Sequence, residues 1–286
     1  MYESILNSFR SNIKALRAFV SCVEPLLLEH ERNFYINNSD KLSIVYYAIN
    51  KVDPELFKMD ELKADKITAY AEKAITDIKI IEDKENGKRS VSLELKDDYP
   101  LSDIGTTFES AIFEMQYKRL LYRSALISLI IYFESLIAQL FRISFEKNPE
   151  SIGIQKKTLQ YSDIVELGST EEAKRYLIDK EVEDLMFKGF DEWHDYMTSK
   201  LNLKLGYIKR VKGQLTEILV RRNLFVHNDG VANSIYMKKV AEEYRKGIKK
   251  GDILNVDKDY MENAISMIER AGVQLVFEKW KHGERQ

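Results

Sequence analysis

Three residues within six positions, Arg222, Asn223 and His227 in the stretch RRNLFVHNDG (residues 221–230), carry the strongest chemical signal in this sequence. An imidazole titrates near neutrality and suits proton transfer. A guanidinium is a planar, permanently charged fork that matches the oxygens of a phosphate. An amide beside them can orient either group. His227 is one of four histidines. The other three, His30, His194 and His282, lack the spacing of an HExxH-type ligand pair and read as packed or exposed helix residues. The sequence contains no glycine-rich phosphate loop and no G-x-S-x-G elbow. With Cys22 as its single cysteine it has no disulfide framework and no cysteine-based zinc site, so neither metal nor cofactor is expected.

On a helical wheel for residues 210–228, at about 100° per residue, Val211, Leu215, Ile218, Leu219, Phe225 and Val226 make one apolar arc. Arg222 falls in its middle. Asn223 and His227, four residues apart, share a stripe on its shoulder with Thr216 and Val220. Arg210, Gln214, Glu217 and Arg221 form the opposite face, which is expected to be solvated, with Glu217 and Arg221 spaced as an i,i+4 pair. A second charge in an apolar arc is Glu134, amid Ile127, Ile130, Ile131, Ile137, Ala138 and Phe141. An isolated buried charge costs several kcal/mol, so Arg222 and Glu134 are expected to meet.

The net charge of -2 does not announce a nucleic-acid partner, but the distribution is uneven. Residues 204–250 hold twelve basic and four acidic side chains, a surplus of +8 that leaves -10 elsewhere. The segment reads either as a solvated helical surface or as the footprint of a polyanion, RNA, with Lys238, Lys239 and Arg221 as the cations that would face it.

The elements that must position these residues are mostly helical, because four prolines and twelve glycines in 286 residues leave few breaks. Helical spacing covers residues 4–35, with a bend at Pro25, and then 41–51. Asn86-Gly87 between two β-type runs predicts a hairpin over 75–96. Helix returns from 107 to 145 and ends at Asn148-Pro149. Ser169 and Glu172 form a capping box that opens another helix toward Asp184. More helix is predicted around Trp193, over 207–227, and from Asp257, with Gly272 as an interruption. The segment 125–141 tempts a membrane reading, but Glu134 inside it and Arg123 and Arg142 beside it leave it short of about 20 apolar residues. The expectation is a cytoplasmic chain with no membrane partner. One boundary is placed near 105, between an N-terminal elaboration (1–105) and a helical domain (106–286).

The motif resembles that of HEPN domains, all-helical nucleotide-binding or RNA-cleaving modules. Arg222-Asn223-Leu224-Phe225-Val226-His227 matches their R-[polar]-x3-H signature, and VHNDGVAN is similar to the VHN-x-G-x-x-N ending of larger members. IYFESLIAQLFR resembles the first core helix, with its acidic residue at Glu134, and GDILNVDKDYMENAI the connector and closing helix. The resemblance spans roughly residues 110–282 and leaves 1–105 unmatched. It implies a HEPN-like antiparallel helical bundle carrying an N-terminal helical elaboration with a hairpin. It further implies a homodimeric, metal-independent endoribonuclease in which Arg222, Asn223 and His227 are catalytic and Glu134 supports them. A bacterial toxin or antiviral effector, with an antitoxin or defence partner protein, follows by family analogy. The alternative is a non-catalytic HEPN-like RNA-binding, regulatory or assembly subunit.

Overall fold

The computed structural model describes residues 1–52, 61–82 and 89–283. Over these residues the chain is mostly α-helical, with one two-stranded antiparallel sheet. Helix α1 is Tyr2–Asn37, α2 Ser39–Val52 and α3 Glu61–Ala74. Strands β1 (Ile75–Glu82) and β2 (Arg89–Leu95) follow, and then the 47-residue α4, Leu101–Lys147. The rest is α5 (Tyr161–Leu167), α6 (Thr170–Phe187), α7 (Phe190–Ser199), α8 (Gly206–His227), α9 (Ser234–Lys239), α10 (Glu242–Arg245) and α11 (Lys258–Gly283).

Contacts divide this chain into two compact units, and the division is not linear in sequence. One unit gathers Met1–Ser21 with Leu121–Gln286; the other is Cys22–Leu120. The single boundary expected near residue 105 falls inside α4. The first division falls one turn before Pro25, which lies within the uninterrupted α1 and leaves the carbonyl of Ser21 without its helical donor.

In the second unit the hairpin pairs Ile75 with Leu95, Ile78 with Leu93 and Ile80 with Val91. Its expected turn at Asn86-Gly87 lies outside the described residues. The strands pack Ile75, Leu93 and Leu95 on a small core of Ile44, Ala74 and Ile104.

The first unit holds the candidate motif. Its core runs along α4 through Leu126, Leu129, Ile130, Phe133, Ile137 and Phe141, all fully or nearly fully buried. By length and composition α4 could cross a membrane, and half of its most apolar stretch is buried within the protein. The start of α1 contributes Phe9, Ile13 and Leu16. Gly272 does not interrupt α11. A Cβ there would stand 2.4 Å from the Phe9 ring and 2.9 Å from Leu136, so glycine allows a close approach inside a continuous helix. The Ser169 cap is present, its hydroxyl accepting from the Glu172 amide at 3.1 Å.

Candidate functional site

Helix α8 is covered on most of its circumference. Leu215, Ile218, Leu219 and Phe225 are buried as the wheel predicts, Val211 is half-buried, and Leu224, outside the predicted arc, is buried too. Arg221 and Glu217 are buried as well, at 8% and 5% exposure, which overturns the expected solvated face. The reason lies in the segment that follows α8. It folds back over that face, burying Ala232, Tyr236, Val240, Leu254 and Val256. Only Arg210 and Gln214, toward the start of the helix, stay exposed.

Within the covered face every polar group of Glu217 is used. One carboxylate oxygen accepts from Arg221 Nε (2.7 Å) and from the Tyr236 hydroxyl (3.0 Å); the other accepts from the Tyr260 hydroxyl (2.7 Å). Arg221 also donates to the Asn255 carbonyl at 2.6 Å and lies over the Tyr260 ring. Burial and the adjacent Glu217 charge push the Tyr236 and Tyr260 phenols above their ordinary range. Burial works to lower the Arg221 guanidinium, but Tyr260 and Glu217 hold it above its usual value. Glu217, Arg221, Asn255 and Tyr260 line a cavity of about 850 Å³ together with Tyr244 and Met267. Arg221 is therefore not a solvent-facing cation, whereas Lys238 and Lys239 at the end of α9 are exposed.

The neighbouring stripe is different. Asn223, Val226 and His227 are exposed, Val226 by 46%, so Val226 leaves the apolar arc assigned to it. Ile131 on α4 is likewise 53% exposed. Between buried and open surface sits the expected pair, Arg222 donating to Glu134. Their side chains keep 17% and 27% exposure, so the pair edges the core rather than lying inside it. Burial raises the Glu134 carboxyl above its ordinary value, and the Arg222 charge only partly opposes this. Arg222 Nε is buried without an acceptor, leaving part of its fork unused.

Arg123 and the turn after His227 fix the end of α8. Arg123 of α4 donates to the Phe225 carbonyl, to Asp229 Oδ1 (2.6 Å), and lies over the Phe225 ring. A cation at a helix C-terminus satisfies its free carbonyls and its dipole. The contacts Glu134–Arg222 and Arg123–Asp229 run in opposite sequence order, so α4 and α8 are antiparallel. The VHNDGVAN residues then build the turn. The Asn228 and Gly230 amides donate to the Leu224 carbonyl at 2.8 and 3.0 Å. Gly230 has φ +79°, and a Cβ there would meet the Phe225 ring at 2.8 Å, so it must be glycine. Asn233 caps α9, accepting from the Ile235 and Tyr236 amides at 3.0 Å each. His227 thus stands exposed at a helix end held by Arg123 and by the turn that follows.

Arg123, Asp229 and Tyr260 went unread in the sequence as parts of this arrangement. Arg123 stood only as a charge flanking an apolar run, and its partner is 106 residues away. The remaining histidines stay apart from the motif. His30 bonds Glu114 at 2.8 Å in the second unit, and His194 packs beside Phe190. The side chain of His282 lies outside the described residues.

No family model matches the chain, and neither a curated protein nor a solved structure matches it.

Proposed function

We propose that this chain is a HEPN-type endoribonuclease that cuts RNA without a metal, by attack of a ribose 2′-hydroxyl on the adjacent phosphate. The observation that carries the reading is the open stripe of Asn223 and His227 beside an Arg222 whose fork is held by Glu134 and only partly used. In this mechanism the 2′-oxygen bonds to phosphorus while its proton leaves to a base. The bond from phosphorus to the 5′-oxygen breaks, and that oxygen takes a proton. His227 moves one of these protons. Arg222 stabilises charge on the phosphorane oxygens, and Asn223 orients the imidazole or the substrate. The products are a 2′,3′-cyclic phosphate and a 5′-hydroxyl end.

One motif supplies one histidine, and the reaction moves two protons. A second copy facing the first across a twofold axis would supply the other. The exposed Val226 and Ile131 provide apolar surface for such a contact. Light scattering should give a dimer at micromolar concentration; an active monomer would reject this assembly. By the same analogy the chain serves as a toxin or antiviral effector in the cytoplasm, with an antitoxin or defence partner protein.

A second reading, a non-catalytic RNA-binding or regulatory subunit, draws on the Arg222–Glu134 pair itself, which spends part of the cation's charge within the protomer. One experiment separates the two. Purified protein is incubated with RNA in EDTA beside a His227→Ala variant, and the ends are analysed. Cleavage to cyclic phosphate by the first and not the second supports the enzyme. Tight binding without cleavage by either supports the subunit.

A further inference from the structure

A second cavity, of about 530 Å³, lies in the first unit between the start of α1 and α11, and it shares Ser266 and Arg270 with the cavity lined by Arg221. Its walls include Arg10 and Arg17, two turns apart on α1, and Ser266 and Arg270, one turn apart on α11, with Glu269 and Gln274 beside them. Three guanidinium groups therefore surround one hollow. Glu269 meets only Arg17, at 3.4 Å. Arg10 and Arg270 have no ion-pair partner among the described residues, and Arg17 Nε is buried without an acceptor. Gathering like charges around a concave surface is unfavourable unless an anion answers them, and such a cleft focuses positive potential. None of this was visible in the charge distribution, because these arginines lie outside the basic segment 204–250 and come together only by folding.

We propose that this hollow binds a terminal phosphoryl group, as carried by a phosphomonoester or a pyrophosphate. With Glu269 counted, the lining arginines leave a charge of +2. A phosphomonoester carries about -1.5 to -2 near neutrality and three acceptor oxygens. A diester in a nucleic-acid backbone carries one negative charge and two free oxygens, a poorer match. Arginine forks suit such oxygens bidentately, and Ser266 adds a hydroxyl donor. The hollow is of the size of small-molecule sites.

Titration calorimetry with inorganic pyrophosphate tests the site. The wild type should give saturable heat, and Arg10→Ala and Arg270→Ala should each weaken binding at least about tenfold. Because both side chains are exposed, the ligand-free melting temperature should stay unchanged. Arg270→Lys should fall between, since a point charge keeps attraction and loses the fork. His227→Ala should bind as the wild type does, so the result is independent of the proposed cleavage. Absence of saturable heat at millimolar pyrophosphate would overturn the proposal, as would an equal loss in Lys238→Ala. The same His227→Ala protein then identifies the source. Competition by a 5′-phosphorylated RNA oligonucleotide but not its 5′-hydroxyl twin assigns the group to an RNA end. Competition by neither assigns it to a small ligand, and equal competition by both would refute a terminal phosphoryl site.

Discussion

Two faces of α8 carry the same chemical groups, an arginine paired with a glutamate, in opposite settings. On one, Arg221 and Glu217 sit on the same helix, one turn apart, and are closed in by Tyr236, Tyr260 and the Asn255 carbonyl. On the other, Arg222 reaches Glu134 on α4, a buried Nε stays unmatched, and the adjacent Asn223 and His227 face outward. The first arrangement is saturated, and its groups are committed to holding the segment after α8 in place. The second is unsaturated, which costs stability and leaves donors for something else to use. Consecutive arginines thus stand in a closed and an open setting within one turn of helix.

The largest expected effect falls on the open face. His227→Ala should lower RNA cleavage by roughly 10²–10⁴-fold, the usual worth of a positioned acid or base. Its melting temperature should hold, because the ring makes no hydrogen bond among the described residues. Full activity in this variant would end the distinction between the faces. Next comes the closed face. Glu217→Ala strands a buried arginine and two buried hydroxyls and should cost on the order of 3–5 kcal/mol in denaturant unfolding. A loss near zero would mean that the network is incidental.

Arg222→Ala should be as inactive as His227→Ala but less stable, by about 1–3 kcal/mol. That is below the cost of breaking a fully buried pair, because water reaches both partners. This deficit should depend on pH. Glu134 is raised above its ordinary value of 4.5, so its contribution is fully present below that value and is lost as pH rises through the folded one. Removing Arg222 raises it further. The gap between variant and wild type should therefore shrink as pH falls toward 4.5 and widen toward neutrality. A gap constant with pH would disconnect Glu134 from Arg222. The smallest effect is expected at Lys238→Glu with Lys239→Glu, where RNA affinity should fall and its salt dependence flatten while cleavage of saturating RNA persists. Affinity that does not respond to salt would make these lysines mere surface.

The sequence made the helices legible because 3.6-residue periodicity, a capping serine and Asn148-Pro149 are local signals. It also paired Arg222 with Glu134, since two lone charges of opposite sign in apolar arcs leave few alternatives. What it misread was which faces are covered. A wheel for α8 separates polar from apolar sides, but Arg221 is buried by a segment whose own fold-back depends on Gly230, Asn233 and the bridge of Val231 with Ile253. Conversely, Val226 and Ile131 read as core and are exposed, because nothing among the described residues covers them. Local pattern records what a helix could bury, and long-range contact decides what it does bury.

The discontinuous first unit has a consequence for how the protein comes off the ribosome. Phe9 emerges early, and the glycine notch that receives it, Gly272, is translated more than 250 residues later. At about 5–20 residues per second, that is a wait on the order of ten to fifty seconds. During it the chain from Cys22 to Leu120 is already complete and can close on its own core. The unit bearing Arg222 and His227 cannot close until α11 arrives. Ribosome-bound nascent chains stalled before residue 258 should therefore have no cleavage activity even though the whole motif has been synthesised.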